Sequence, residues 1–213
     1  MATKLGVFNG ALTEIGARRL SDTGEDVEPG RELVAAYDRV VADCLAEASW
    51  NFAMETVKAD ADTGVTPEFG FSEVFAKPSD WVRTISISED EYLNFPLLHY
   101  YDDVNYWSAD VTPIYIRYVS NSESLGLALT RWPATFTRFV ELELAERVSY
   151  RLTQNASLRE EIGKRRDRAR VNAKNQDSLN EPQPKFPPPG SWTMARGGRV
   201  GRRDRGSRNS LTG

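Results

Sequence analysis

Trp81-Val82-Arg83-Thr84-Ile85-Ser86-Ile87-Ser88 decides the fold class, because here the hydrophobic period of the chain falls to two. After Val82, Ile85 and Ile87 alternate with Arg83, Thr84, Ser86 and Ser88, the pattern of a half-buried strand. Ile114-Tyr115-Ile116-Arg117-Tyr118-Val119 predicts a second strand, rich in β-branched and aromatic residues. The segment 95–101, FPLLHYY, is a weaker strand candidate, which Pro96 assigns to an edge. Polar clusters at Ser88–Glu91 and Asp102-Asp103 separate these stretches, and the turn-rich run 58–70, KADADTGVTPEFG, reads as a loop. The middle third is therefore expected to be a small antiparallel sheet.

On both sides the period is helical. Leu5, Phe8, Leu12 and Ile15 lie on one stripe of a helix expected over Lys4–Leu20. Pro29 suits the first turn of a second helix, in which Leu33, Tyr37, Val40, Val41, Cys44, Leu45 and Ala48 keep helical spacing as far as Trp50-Asn51-Phe52. The two should form a hairpin with one apolar seam. After Trp132-Pro133, the residues Phe136, Phe139, Val140, Leu144, Val148 and Leu152 predict a third helix running to about Thr153. Ser157-Leu158-Arg159-Glu160 matches a capping box and predicts the start of a fourth. That helix offers a core only Leu158, Ile162, Ala169 and Ala173, so it must lean on neighbours or on another chain. The expected fold is α+β: a four-helix bundle (1–57 and 121–179), a small antiparallel β-sheet inserted between helices two and three (58–120), and an extended Pro/Gly/Arg-rich C-terminal arm (180–213).

Composition removes many functions. The 213 residues, 40% hydrophobic and 27% charged, suit one globular domain with a small insertion. A single cysteine, Cys44, and a single histidine, His99, cannot build a disulfide, a Cys/His metal site, or Ser-His or Cys-His catalysis. No cofactor and no catalytic residue is expected. No run reaches roughly eighteen apolar residues, and MATKLGVFNG lacks the layout of a secretory signal, so neither membrane spanning nor Sec-type export is expected. The acidic groups Glu89-Asp90-Glu91, Asp102-Asp103 and Asp60-Ala61-Asp62 lack calcium-loop spacing and read as solvated turns. Trp81, Tyr106, Trp107 and Tyr118 have few basic neighbours and read as core or contact residues, not a stacking platform for single strands.

Charge is partitioned. Residues 1–156 hold 13 Lys+Arg against 25 Asp+Glu, whereas residues 157–213 hold 14 against 6. An acidic body repels nucleic acid at range, and a basic tail seeks an acidic surface. The arm combines an apolar anchor, Trp192 and Met194, with Arg196, Arg199, Arg202, Arg203, Arg205 and Arg208. These arginines could bind nucleic acid without specificity or pair with acidic protein residues.

Several local pieces, in order, resemble a known family. They are Asn9-Gly10-Ala11-Leu12 with Ile15-Gly16, Trp50-Asn51-Phe52-Ala53, and Lys77-Pro78-Ser79-Asp80-Trp81-Val82-Arg83. Ile116-Arg117-Tyr118-Val119, Trp132-Pro133 with Phe136, and Gly190-Ser191-Trp192 with Ala195-Arg196 follow. Together they resemble the head-to-tail adaptor (connector) proteins of tailed bacteriophages, in particular the podophage tail tubular protein A group, over nearly the whole chain. The resemblance implies a structural virion protein made in the host cytoplasm. Such a protein forms a dodecameric ring between the portal protein and the tail nozzle or another tail protein. Double-stranded DNA passes through the ring without specific binding, with no catalysis and no membrane involved. The resemblance points to Trp192 and Arg196 as the heart of a portal-binding arm, and by their charge and apolar character Met194, Arg199, Arg202 and Arg203 are candidates for the same arm. The helix-four face of Arg159, Arg166 and Arg170 reads either as a solvated surface or as a possible portal-docking face. The tail after Arg196 is longer and more basic than the family pattern. Two other readings compete: a basic-armed nucleic-acid-binding protein, whose affinity would fall steeply with salt, and a hydrolase using paired carboxylates.

Overall fold

The computed structural model describes residues 2–65, 67 and 70–180. Residues 1–180 form one compact unit, and 181–213 lie outside the described residues. The first unit is α+β, with four helices and two three-stranded antiparallel sheets.

Helix α1 (Lys4–Ile15) begins where Thr3 Oγ1 accepts the Gly6 N–H at 3.1 Å. It stops short of the expected Leu20 because Gly16 takes φ 78° and its N–H turns back to the carbonyls of Leu12 and Thr13. Leu20 is buried all the same, since the Asn9 carboxamide accepts from Leu20 N at 2.7 Å and donates to Leu20 O at 3.1 Å. Helix α2 (Glu28–Ala46) carries Pro29 in its first turn and also ends early. Trp50 has helical spacing, yet its indole N–H donates to the Cys44 carbonyl at 2.8 Å, satisfying a helix-end acceptor that water would otherwise take. A 3₁₀ turn, Asn51–Ala53, then leads directly into strand β1 (Met54–Ala59).

Strand β1 begins inside the stretch 1–57 expected to belong to the helical bundle, and its last two residues, Lys58 and Ala59, take the start of the segment expected to be a loop. Its pairing is with β6 (Ile114–Ser120), Met54 opposite Val119 and Ala59 opposite Ile114, a contact too distant in sequence for local pattern to show. Strand β3 (Trp81–Ser88) flanks β6 on the other side, giving the order β1-β6-β3. Strands β2 (Glu73–Ala76), β5 (Tyr106–Ala109) and the two-residue β4 (Tyr101–Asp102) form the second sheet, in the order β2-β5-β4. The single expected sheet is thus two. The FPLLHYY segment is not a continuous strand: Pro96 makes an isolated bridge to Ser88, and only Tyr101 is in a strand.

The two sheets enclose a small core of Phe75, Ile87, Trp107, Ala109, Ile114, Ile116 and Tyr118. Thr84 Oγ1 joins them by accepting from both Trp107 Nε1 at 2.8 Å and Trp81 Nε1 at 3.1 Å. Val119, with the partly buried Val82 and Ile85, belongs instead to the helical core. Helix α3 (Ala134–Thr153) is the centre of that core and packs on α1, α2 and α4 (Ala156–Ser178). Its Phe136 meets Trp50, Phe52 and Trp132 at centroid distances of 4.8, 4.8 and 5.0 Å. The expected α1–α2 seam is minor: the two touch where Phe8 meets Tyr37 at 5.5 Å, and their stripes pack chiefly on α3.

Helix α4 does not start with the expected capping box. Asn155 is the N-cap, its Oδ1 accepting from Leu158 N at 3.1 Å, while Ser157 lies within the helix and its hydroxyl donates to the same Oδ1. The predicted inward residues are correct: Ile162 and Ala173 are fully buried, and Leu158 and Ala169 pack against the core.

The connection into α3 is held by Trp132, whose Nε1 donates to the Gly126 carbonyl at 2.8 Å. A Cβ at Gly126 would lie 2.1 Å from the backbone oxygen of Ser120. Gly126→Ala is expected to destabilise the unit by about 1–3 kcal/mol, read as a lower urea midpoint at unchanged slope. An unaltered midpoint would contradict this packing.

Candidate interaction surfaces

Helix α4 is held by charge where it lacks apolar area. Arg165 pairs with Glu14 of α1, which Arg138 also meets at 2.6 Å. Arg166 reaches Glu143 at 2.9 Å and Glu146 at 3.3 Å on α3. Arg170 and Lys174 both face Glu47 at the end of α2, at 3.5 and 2.7 Å. Asp177 is buried and accepts from Asn51 N at 3.0 Å, and the Asn51 side chain donates to the Asp177 carbonyl at 2.8 Å. These contacts draw on all three other helices and the turn that opens the insert.

This arrangement divides the residues expected to form a docking face. Arg166 and Arg170 are turned onto carboxylates of the same chain, whereas Arg159 is exposed and borders a shallow cleft with Tyr150, Gly163 and Lys164. Arg159 is the one of the three that makes no ion pair among the described residues. The arm residues Trp192, Met194, Arg196, Arg199, Arg202 and Arg203 lie outside the described residues. Of Trp81, Tyr106, Trp107 and Tyr118, Trp107 and Tyr118 are buried, Tyr118 hydrogen-bonding Glu55 at 3.2 Å and Asp80 at 3.3 Å. His99 is exposed on the 88–105 connection. Among the described residues, no group of three or more His, Cys, Asp or Glu is placed to hold a metal ion, and no helix is long and apolar enough to cross a membrane. Cys44 is buried, and that burial pushes its thiol pKa up.

A feature that periodicity did not single out is the tip of the insert, residues 88–105. The Asp90 carboxylate accepts from Asn94 N and Phe95 N, both at 3.1 Å, and Ser88 Oγ lies within hydrogen-bonding reach of Asp90 Oδ1 and the Phe95 carbonyl. These bonds, the Ser88 one foremost, hold the Asp90 carboxyl below the usual carboxylate range. Leu97 N then donates to Ile87 O at 2.8 Å, closing the loop onto β3. At the other end, the Lys77 ammonium pairs with Asp102, bonds the Asp103 carbonyl and lies 3.6 Å from the Trp81 ring centroid. The signal in sequence was the acidic clusters flanking FPLLHYY, read there as solvated turns.

No protein-family model matches the chain, and no curated protein matches it. The pieces that carry the resemblance nevertheless have physical roles within the unit. Asn9 pins the turn after α1, Gly16 ends that helix, Trp50 and Asn51 fasten α2 and α4, Lys77 and Asp80 anchor the insert, and Trp132 orients α3.

The Lys174 hydrogen bond is the main cause holding Glu47 below the ordinary carboxylate range, against some burial, with Arg170 assisting. A carboxyl depressed on folding adds stability that is complete above its unfolded value and is lost as pH falls through the folded one. Glu47→Gln should therefore cost about 0.2–1 kcal/mol at pH 7, the range of an exposed pair, and less at acid pH, as the pH falls through the lowered folded value. Paired thermal melts at pH 7 and at acid pH check this, and an equal cost at both would contradict it.

Proposed function

We propose that this chain is a structural adaptor subunit that assembles as a ring between a bacteriophage portal and its tail, with a bore for double-stranded DNA. Its four helices form the bundle of that subunit, the double sheet is the insert, and residues 180–213 act as a strap toward the portal. The observation that carries the reading is the charge partition. Residues 1–180 hold 20 Lys+Arg against 29 Asp+Glu, and 181–213 hold 7 against 2. The folded unit also turns Arg165, Arg166, Arg170 and Lys174 onto its own carboxylates, which leaves fewer cations to grip phosphate. An acidic wall lets a polyanion slide, and a closed ring repeats each weak strap contact at high effective concentration. The role is architectural and not catalytic, and it places the protein in the virion.

Mixing the purified chain with the portal protein of the same virus and imaging by negative-stain electron microscopy is the test. Rings stacked coaxially on portal are expected, and truncation after Asn180 should abolish stable stacking. A monomer that ignores portal but binds duplex DNA, with affinity falling by orders of magnitude between 50 and 200 mM salt, would favour the basic-armed nucleic-acid-binding alternative.

A further inference from the structure

Half-buried strands normally end in polar turns, but the insert ends in exposed hydrocarbon. Tyr92, Phe95, Leu98, Tyr101 and Val104 are 75, 71, 82, 57 and 84% exposed, the densest run of large exposed apolar side chains in the described unit. Such residues scattered singly need no explanation, whereas five within thirteen positions on one loop do. The loop that displays them is fastened at both ends, by the Asp90–Ser88 knot and by the Lys77 clamp, and Phe71 packs edge-on to Tyr101 at 4.9 Å. A partner would therefore meet apolar side chains on a scaffold already closed, with little ordering cost.

Charge defines the partner. Between Arg83 and Arg117 the sequence holds no Lys or Arg, while it holds Glu89, Asp90, Glu91, Asp102, Asp103 and Asp110. The side chain of Lys77, which clamps one end of the loop, is buried and already engaged with Asp102. Glu89, Glu91 and Asp103 meet no cation among the described residues. This field repels nucleic acid and an anionic lipid surface, and it repels a second copy of the same tip. We infer that the insert tip is a docking surface for a protein segment that alternates Lys or Arg with large apolar side chains. The apolar residues would fill the spaces between Phe95, Leu98 and Tyr101, and the cations would meet the flanking carboxylates. The inference is independent of the adaptor reading, because it concerns one face of one subunit.

The probe is a synthetic sixteen-residue peptide alternating Arg with Leu or Trp, titrated against the full chain by fluorescence anisotropy. Hydrogen exchange locates the contact. Micromolar binding is expected, with new protection confined to residues 88–105, and an Arg/Ser peptide of equal charge should bind at least tenfold more weakly. Phe95→Ser with Leu98→Ser should weaken binding about tenfold, and so should Glu89→Gln with Glu91→Gln. Glu123→Gln with Asp38→Asn, which removes exposed acids elsewhere, should leave it unchanged. All replaced side chains are at the surface, and matching thermal melts confirm folding. Equal affinity for the Arg/Ser peptide, insensitivity to the tip variants or protection elsewhere would overturn the inference. Tip-dependent binding to duplex DNA, to phosphatidylglycerol vesicles, or to a second copy in sedimentation would also overturn it. Failure here would leave ring formation on portal unaffected, because microscopy reads that separately.

Discussion

The ion pairing of α4 with the rest of the helical unit is the constraint from which the other properties follow. A helix that offers four apolar side chains to a core cannot dock on hydrophobic burial alone. Arg165, Arg166, Arg170 and Lys174 supply the remainder by reaching α1, α3 and the end of α2. Each pair is partly solvated and individually weak, but the pairs share carboxylates, so fixing one side chain lowers the entropy cost of fixing the next. The Asn51–Asp177 contact then ties the last turn of α4 to the turn where the insert begins.

The same pairing explains why the charge of the sequence and the charge available to partners differ. Read along the chain, α4 is a basic helix and looks like a docking face. In the folded unit much of that charge faces carboxylates of the same chain, and Arg159 is the member of the expected trio that makes no ion pair among the described residues. What remains outward is an acidic unit bearing an apolar, anionic tip, with a basic segment following Asn180.

Helices were legible because their stripes are regular, and α3 lies within a residue of its expected limits. Their ends were less so, since Gly16 and Trp50 stop α1 and α2 by backbone geometry and a single indole hydrogen bond that periodicity does not register. Strands β3 and β6 were visible from alternation, whereas β1 exists through its long-range pairing with β6, and β2, β4 and β5 are too short to show a period. The capping box at Ser157 was a true local pattern outcompeted by Asn155 two residues earlier. The tip was hidden for a different reason. Its hydrocarbon read as a weak edge strand, and it is in the folded loop, closed through Asp90 and Lys77, that those side chains are seen to be exposed.

The central claim is that the folded unit turns many of its cations onto its own carboxylates and leaves any grip on nucleic acid to the segment after Asn180. Salt-dependent duplex DNA binding by the full chain, compared with a chain ending at Asn180, tests it most directly. The account predicts that whatever duplex affinity the full chain has disappears with the truncation, even at 50 mM salt. Retention of tight binding by the shortened chain, with a steep slope against salt concentration, would contradict it.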